Sequence, residues 1–403
     1  MRKLYIWQPQ GPVAQDGVHR VPLCLEQIVL QANTEDGPSD EFFTVVTSIT
    51  HSSGEREDDA KCVHAARQDL TGDFYHDVDG DSFAADMVHT YTVCRLTLQM
   101  VLDDFNFLGL GNTFQWAWQK KCNGSGSLRI ITHGKESFEP ASYNRGKKLL
   151  RFNFITIQEG RQYSCRCQDV VSHEVGHAIL DGINPLLYER KGDVCACAFH
   201  EAFADGMSMF YRFCKVEWCE TFLSACGGDL KKSTSLTKLG VHLGALLQPQ
   251  YLREDPLQCA NDGGEHFPVR DFTNQTNAMT CRKGPYALGS VLVGWWWDIV
   301  VRMTLTMSSV DGVSSLTLFQ QCTRVRRLVL RATVSMSRRQ GALDFNVLLE
   351  EMLNSEVVAA VCRDDHVVRE LLKHAIAETA AYRQIAMLGQ SLPSMRHRML
   401  GNW

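Results

Sequence analysis

Three runs in the first part of the chain read as strands. "FFTVVTSIT" (residues 42–50), "LRIIT" (128–132) and "LLRFNFITI" (149–157) are β-branched or alternate apolar with polar positions, the pattern of half-buried extended chain. Between them, "FAADMVHTYTVCRLTLQMVLDDF" (83–105) has a helical period behind Asp81 and Ser82, two residue types that cap helix starts. From residue 168 onward nearly every periodic segment has helical spacing. Polar, glycine-containing breaks at 50–59, 120–127, 226–235 and 259–267 predict surface loops. The expectation is an α+β protein of two lobes: a mixed N-terminal lobe over 1–167 and a mainly helical C-terminal lobe over 168–403.

Composition narrows what such a fold is for. With 403 residues and 44% hydrophobic content the chain can bury a sizeable core. A formal charge of -5 favours neither nucleic acid nor an anionic membrane as partner. The opening "MRKLYIWQPQGPVAQDG" lacks the apolar run of an export signal. The most apolar stretch, "YALGSVLVGWWWDIVV", is short for a membrane span and carries Asp298, so it predicts a buried helix. Fifteen cysteines, an odd number without a secretory start, predict free thiols in a reducing compartment and a cytoplasmic location.

The chemistry concentrates in "DVVSHEVGHAILDGINP" (169–185). On a helix, positions i and i+4 share a face, so His173 and His177 can turn imidazole nitrogens toward one metal ion with Glu174 beside it. Catalytic zinc takes three protein ligands and keeps one position open for water. A third ligand is offered downstream by "FHEAFADGMSMF", where Glu201 and Asp205 are again four apart. Glu201 is the predicted ligand, and Asp205 is placed to accept the remaining ring N–H of a ligand histidine. Glu174, too near the helix axis to ligate, is the predicted general base. By composition an HExxH string arises by chance in roughly a few per cent of such chains. The second helix is therefore what gives the assignment its weight.

"HEVGHAILD" followed by "HEAFAD" resembles the gluzincins, zinc peptidases whose third ligand is a glutamate, and most of all the thermolysin group. The resemblance spans about residues 83–300. It implies a two-lobe zincin fold with the active site between the lobes, one zinc ion, and a peptide or protein substrate cleaved internally. It also implies that Asp181, four after His177, supports the site. Tyr188, eleven after His177, would help hold the transition-state oxyanion. "PASYNRGKKLLRF" resembles the edge strand that binds the substrate backbone, with Ala141 and Tyr143, and "VRDFTN" the segment whose arginine, here Arg270, grips the substrate carbonyl. Leu180 excludes the metzincin continuation, which needs glycine there.

Several positions depart from the family pattern. Pro140 stands where the edge strand usually has asparagine, and His200 where a supporting asparagine is usual. The late histidine that partners the oxyanion falls in "RKGPYALGSVLVG", leaving Tyr286, His266 or no residue in that role. Two rival readings therefore stand beside the peptidase: a weak or inactive zinc-binding scaffold, and a zinc hydrolase of a non-peptide substrate.

Other strings predict structure rather than chemistry. "DVDGDS" (77–82) has its glycine one place early for a calcium loop, with Val88 at the twelfth position. The pairs Cys165/Cys167 and Cys195/Cys197 read as buried thiols, His89 as a packed core histidine, and the three tryptophans 295–297 as mostly core.

Overall fold

The computed structural model describes residues 2–7, 25–30, 38–46 and 83–388, the last without 240–269 and with short breaks at 112–113, 121–125, 138, 158–159, 191, 235, 279–280, 282–283, 309, 311, 339–344 and 364. Asp81, Ser82, the 77–82 string, His266 and the loops expected at 50–59 and 259–267 lie outside the described residues.

The protein is a mixed α+β structure. Strands β1 (Arg2–Trp7) and β2 (Leu25–Leu30) pair antiparallel near the N-terminus. A four-stranded sheet is built from β3 (Phe43–Val46), β4 (Leu128–Ile131), β5 (Ala141–Asn144) and β6 (Leu149–Phe152), in the spatial order β3-β4-β6-β5. The first three run parallel, and β5 closes one edge antiparallel to β6. Alternation sorts the faces: Phe43, Val45, Leu128, Ile130, Leu150, Phe152, Ala141 and Tyr143 join the main core, while Val46, Ile131 and Leu149 form a small cluster of their own.

The run 149–157, read from sequence as one stretch, is two strands. Asn153 breaks it: the buried side chain accepts from the Lys135 N–H (3.1 Å) and donates to the Glu139 carbonyl (2.8 Å), while its own N–H bonds the Pro140 carbonyl (2.8 Å). The chain leaves the sheet there, and β7 (Phe154–Ile157) pairs instead with β8 (Gly160–Tyr163).

Helix α1 (Phe83–Phe107) occupies the predicted segment and is buried almost all round. Its interior threonines stay satisfied by bonding back one turn: Thr90, Thr92 and Thr97 hydroxyls donate to the carbonyls of Asp86, Val88 and Val93 at 2.6–2.8 Å. After the short α2 (Ala117–Lys120) come α3 (Gln168–Ile183), α4 (Pro185–Glu189), α5 (Val194–Arg212) and α6 (Val216–Cys226). The two-residue strands β9 (Lys238–Leu239) and β10 (Arg270–Asp271) pair antiparallel. Then follow α7 (Pro285–Met307), α8 (Ser315–Met336), α9 (Phe345–Leu353), α10 (Ser355–Cys362) and α11 (His366–Arg383). One apolar cluster runs from Phe43 to Ile385 and crosses the expected lobe boundary at 167/168 without a gap.

By length and composition α7 could cross a membrane, and 89% of its most apolar window is buried inside the protein. Its three tryptophans are buried on different sides, as a helix enclosed all round permits. Trp295 Nε1–H donates to Thr379 Oγ1 and Trp297 Nε1–H to the Leu230 carbonyl, both at 3.0 Å, while Trp296 fills the space over Gly206.

Candidate metal centre

Helices α3 and α5 lie side by side and antiparallel. The pairings give the register: Arg212 Nε to Asp169 Oδ1 (2.8 Å), Ser172 Oγ to Ser208 Oγ (3.1 Å) and His173 Nδ1 to Asp205 Oδ1 (2.7 Å). Close approach depends on small residues. A Cβ on Gly176 would stand 2.8 Å from the Ala204 Cα, and one on Gly289 of α7 would stand 3.1 Å from both the Ala198 carbonyl oxygen and the Glu201 Cβ. The α5 backbone around Glu201 is thus held closely between α3 and α7.

That register explains the two four-residue steps. One turn along α3 leads from His173 to His177, and one turn back along α5 leads from Asp205 to Glu201, so the two pairs face each other. Glu201 Oε2 lies 3.7 Å from His173 Nε2, and Oε1 lies 3.7 Å from His177 Nε2. Those gaps exceed an N–H···O hydrogen bond. They are close to the roughly 3.4 Å between two ligand atoms set tetrahedrally at ~2.1 Å from one ion. One donor atom from each of the three side chains fits within 4.8 Å of the others.

Both rings are braced at the far nitrogen, as metal-ligating histidines are. His173 Nδ1 meets Asp205, the predicted partner, and His177 Nδ1 meets His200 Nδ1 at 2.6 Å, one nitrogen donating and the other accepting. The His177 and His200 rings stack at 4.8 Å. His177, Glu201 and Asp205 are buried, His173 keeps 16% of its side chain exposed, and Glu174 is buried beside it on α3.

Asp181 braces the neighbouring wall rather than His173 or His177. It accepts from the Tyr143 hydroxyl (2.6 Å) and from Arg145 through Nε (2.7 Å) and Nη2. Burial first, and then the Asp181 carboxylate, pushes the Tyr143 phenol well above its usual range. Burial opposes the Arg145 charge, yet Asp181 outweighs it and the guanidinium is held above its usual value. Arg145 also donates to the Pro185 carbonyl (2.7 Å) and lies 4.2 Å over the Tyr188 ring. Tyr188, half-buried on α4, is thereby held 5.8 Å from the Tyr143 ring and 6.0 Å from that of His200.

The remaining predicted residues scatter more widely. Ala141 and Tyr143 sit on β5, an edge strand packed against α3, with both side chains turned inward. Tyr286 is half-exposed in the first turn of α7, one turn before Gly289. Arg270 starts β10, which pairs with β9. Arg145 escaped the sequence reading, because nothing periodic links it to Asp181, 36 residues on.

A second group of donors also escaped it. Asp86 of α1, His133 after β4 and Cys165 before α3 bring one atom each within 4.8 Å. His133 Nε2 bonds Asp86 Oδ2 at 2.8 Å, and Arg166 Nε reaches Oδ1 at 2.8 Å and Oδ2 at 3.0 Å. Cys165 and Cys167 are buried as expected, with burial raising the first thiol well above its usual value and the second to about 12. Cys195 and Cys197 are only half-buried, because they lie in the first turn of α5; every described cysteine is a free thiol. Comparison with protein-family models finds no match to this chain, and no curated protein is significantly similar to it.

Proposed function

We propose that the chain is a zinc metallopeptidase of the gluzincin type, with a two-lobe fold like that of the thermolysin group. The observation that carries this reading is the pair of 3.7 Å gaps between Glu201 and two braced imidazoles. Two Nε2 atoms and a carboxylate are the donor set of a hydrolytic zinc site, and His173, His177 and Glu201 fit it. A zinc ion held there would supply Lewis acidity and lower the pKa of an attacking water toward neutrality.

The chain's own residues divide the remaining work. Glu174, buried next to His173, takes the proton of the attacking water on its carboxylate and passes it to the leaving nitrogen. Asp205 and His200 keep the ligand rings oriented. Edge strand β5 beside α3 suits a peptide backbone, since an extended substrate can add to a sheet edge. Tyr188 and Tyr286 are the hydroxyl donors assigned to the developing oxyanion, and Arg270 the group that holds a substrate carbonyl.

Glu174→Gln is the test. It keeps shape and metal ligands and removes the base, so turnover of a mixed peptide pool should fall at least ~100-fold with zinc content unchanged. Equal cleavage by variant and parent would remove Glu174 from its role. A zinc-loaded parent that cleaves nothing across a broad pool would leave a binding scaffold in place of an enzyme.

A further inference from the structure

Apart from the histidine cluster, the C-terminal turn of α1 and helices α8 and α10 border a cavity of about 540 Å³. Its wall carries four arginines, 324, 326, 327 and 363, against two aspartates, 103 and 104, which leaves two positive charges in excess. The buried carboxylate does not absorb that excess. Asp104 accepts from Arg326 at 2.5 Å and 3.2 Å and from Arg327 Nε at 2.8 Å, so one anion already serves two cations. Asp103 is exposed and accepts from Gln99.

Three further features suit an anionic ligand. Arg324 is half-buried and donates to the neutral carboxamide of Gln321. Burial, and to a lesser degree Arg327, lowers its pKa against the opposing pulls of Cys362 and Asp365. Arg327 and Arg363 both crowd the Phe107 ring, at 3.5 Å and 3.9 Å from its centroid, and Arg363 adopts φ 52, a positive value that residues other than glycine rarely take. The Thr323 hydroxyl lines the same space, buried, with no hydrogen-bond partner among the described residues. Guanidinium forks and a hydroxyl donor around a surplus of two charges are what a phosphate group requires.

We infer that this cavity is a binding site for a phosphate group, held by Arg324, Arg327 and the Thr323 hydroxyl. The volume exceeds that of the anion alone and suits a small phosphate monoester. The site is independent of the peptidase reading, because none of its residues belongs to the metal centre.

Titration calorimetry with two probes, inorganic phosphate and glycerol phosphate, tests this at constant ionic strength. At least one probe should bind saturably at one per chain, and which binds tighter separates the free anion from the monoester. Binding should weaken at least ~10-fold in Arg324→Gln and fall in Thr323→Val, and it should persist in His173→Ala/His177→Ala, which rules out capture by the metal centre. Thr323→Val is nearly isosteric and keeps the test informative if Arg324→Gln fails to fold. No saturation by either probe, binding indifferent to both cavity variants, or binding lost only with the histidines would each overturn the assignment.

Discussion

Two groups of three side chains that could hold a metal ion each bring their donor atoms within 4.8 Å of one another, and their surroundings set them apart. In the first, from α3 and α5, the Glu201 oxygens stand 3.7 Å from two imidazole nitrogens whose rings are braced from behind. In the second, Asp86 already accepts from Arg166 and His133 at 2.8 Å, and the Cys165 thiol is pushed well above its usual pKa by burial and then by Asp86. A cation entering the second group would have to displace a guanidinium and deprotonate a reluctant thiol. Proximity of donors is thus a weak criterion. What counts is whether the carboxylate's charge is already neutralised and whether each ligand can reach its metal-binding protonation state.

The sharpest way to break this contrast is to remove donors from each group in turn. His173→Ala/His177→Ala should take zinc from about one per chain to background, whereas Cys165→Ala and Asp86→Asn should leave it intact, as read by elemental analysis of purified protein. Full zinc in the double histidine variant, or its loss with Cys165, would reverse the assignment of the two groups.

The first group was legible and the second was not, for a physical reason. His173, His177, Glu201 and Asp205 sit on two helices, where a step of four residues fixes a shared face, and antiparallel packing brings the steps together. Asp86, His133 and Cys165 come from a helix, a loop and a turn, and only the tertiary fold aligns them. The same distinction runs through the fold. Strands β3 and β4 fall within their predicted runs, and helix α1 fills its run and continues two residues beyond, because periodicity reports burial directly. The division of 149–157 at Asn153 depends on bonds to Lys135, Glu139 and Pro140, which no local pattern announces. Asp181 shows the limit at the site itself: its place four residues after His177 gave no sign of its partners, Tyr143 and Arg145, which come from a strand and turn 36 to 38 residues earlier.

A milder change sharpens the metal group from its outer shell. Asp205→Ala removes the acceptor at His173 Nδ1 and frees the ring to turn, without touching a ligand atom. Zinc affinity, measured by competition with a chelator, should weaken by about 10- to 100-fold. An unchanged affinity would mean that packing between α3 and α5 alone orients His173.

The smallest expected effect concerns the second group, where burial shows in how stability responds to acid. His89, fully buried on α1, has its pKa lowered to about 3, mainly by burial, with Asp86 pulling the other way and Arg166 adding to the drop. Below its ordinary value of about 6.5 the unfolded chain takes up a proton that the folded one refuses, so stability falls as pH drops, by up to ~1.4 kcal/mol per unit. Asp86 behaves differently. Burial works to raise its pKa, but His133 and Arg166 outweigh that and hold the carboxyl below its usual value. Its contribution is therefore complete above about pH 4 and is lost only at lower pH, as the folded carboxyl titrates. Between pH 6 and 4 the two residues separate cleanly. Urea unfolding across that range should show a slope for His89→Gln shallower than the parent's by about one proton. Asp86→Asn should lower stability throughout that range and leave the slope unchanged. Since all three proteins keep His173, His177 and Glu201 unchanged, differences in slope isolate the group around Asp86, and parallel lines for His89→Gln and the parent would mean that His89 takes up its proton inside the fold.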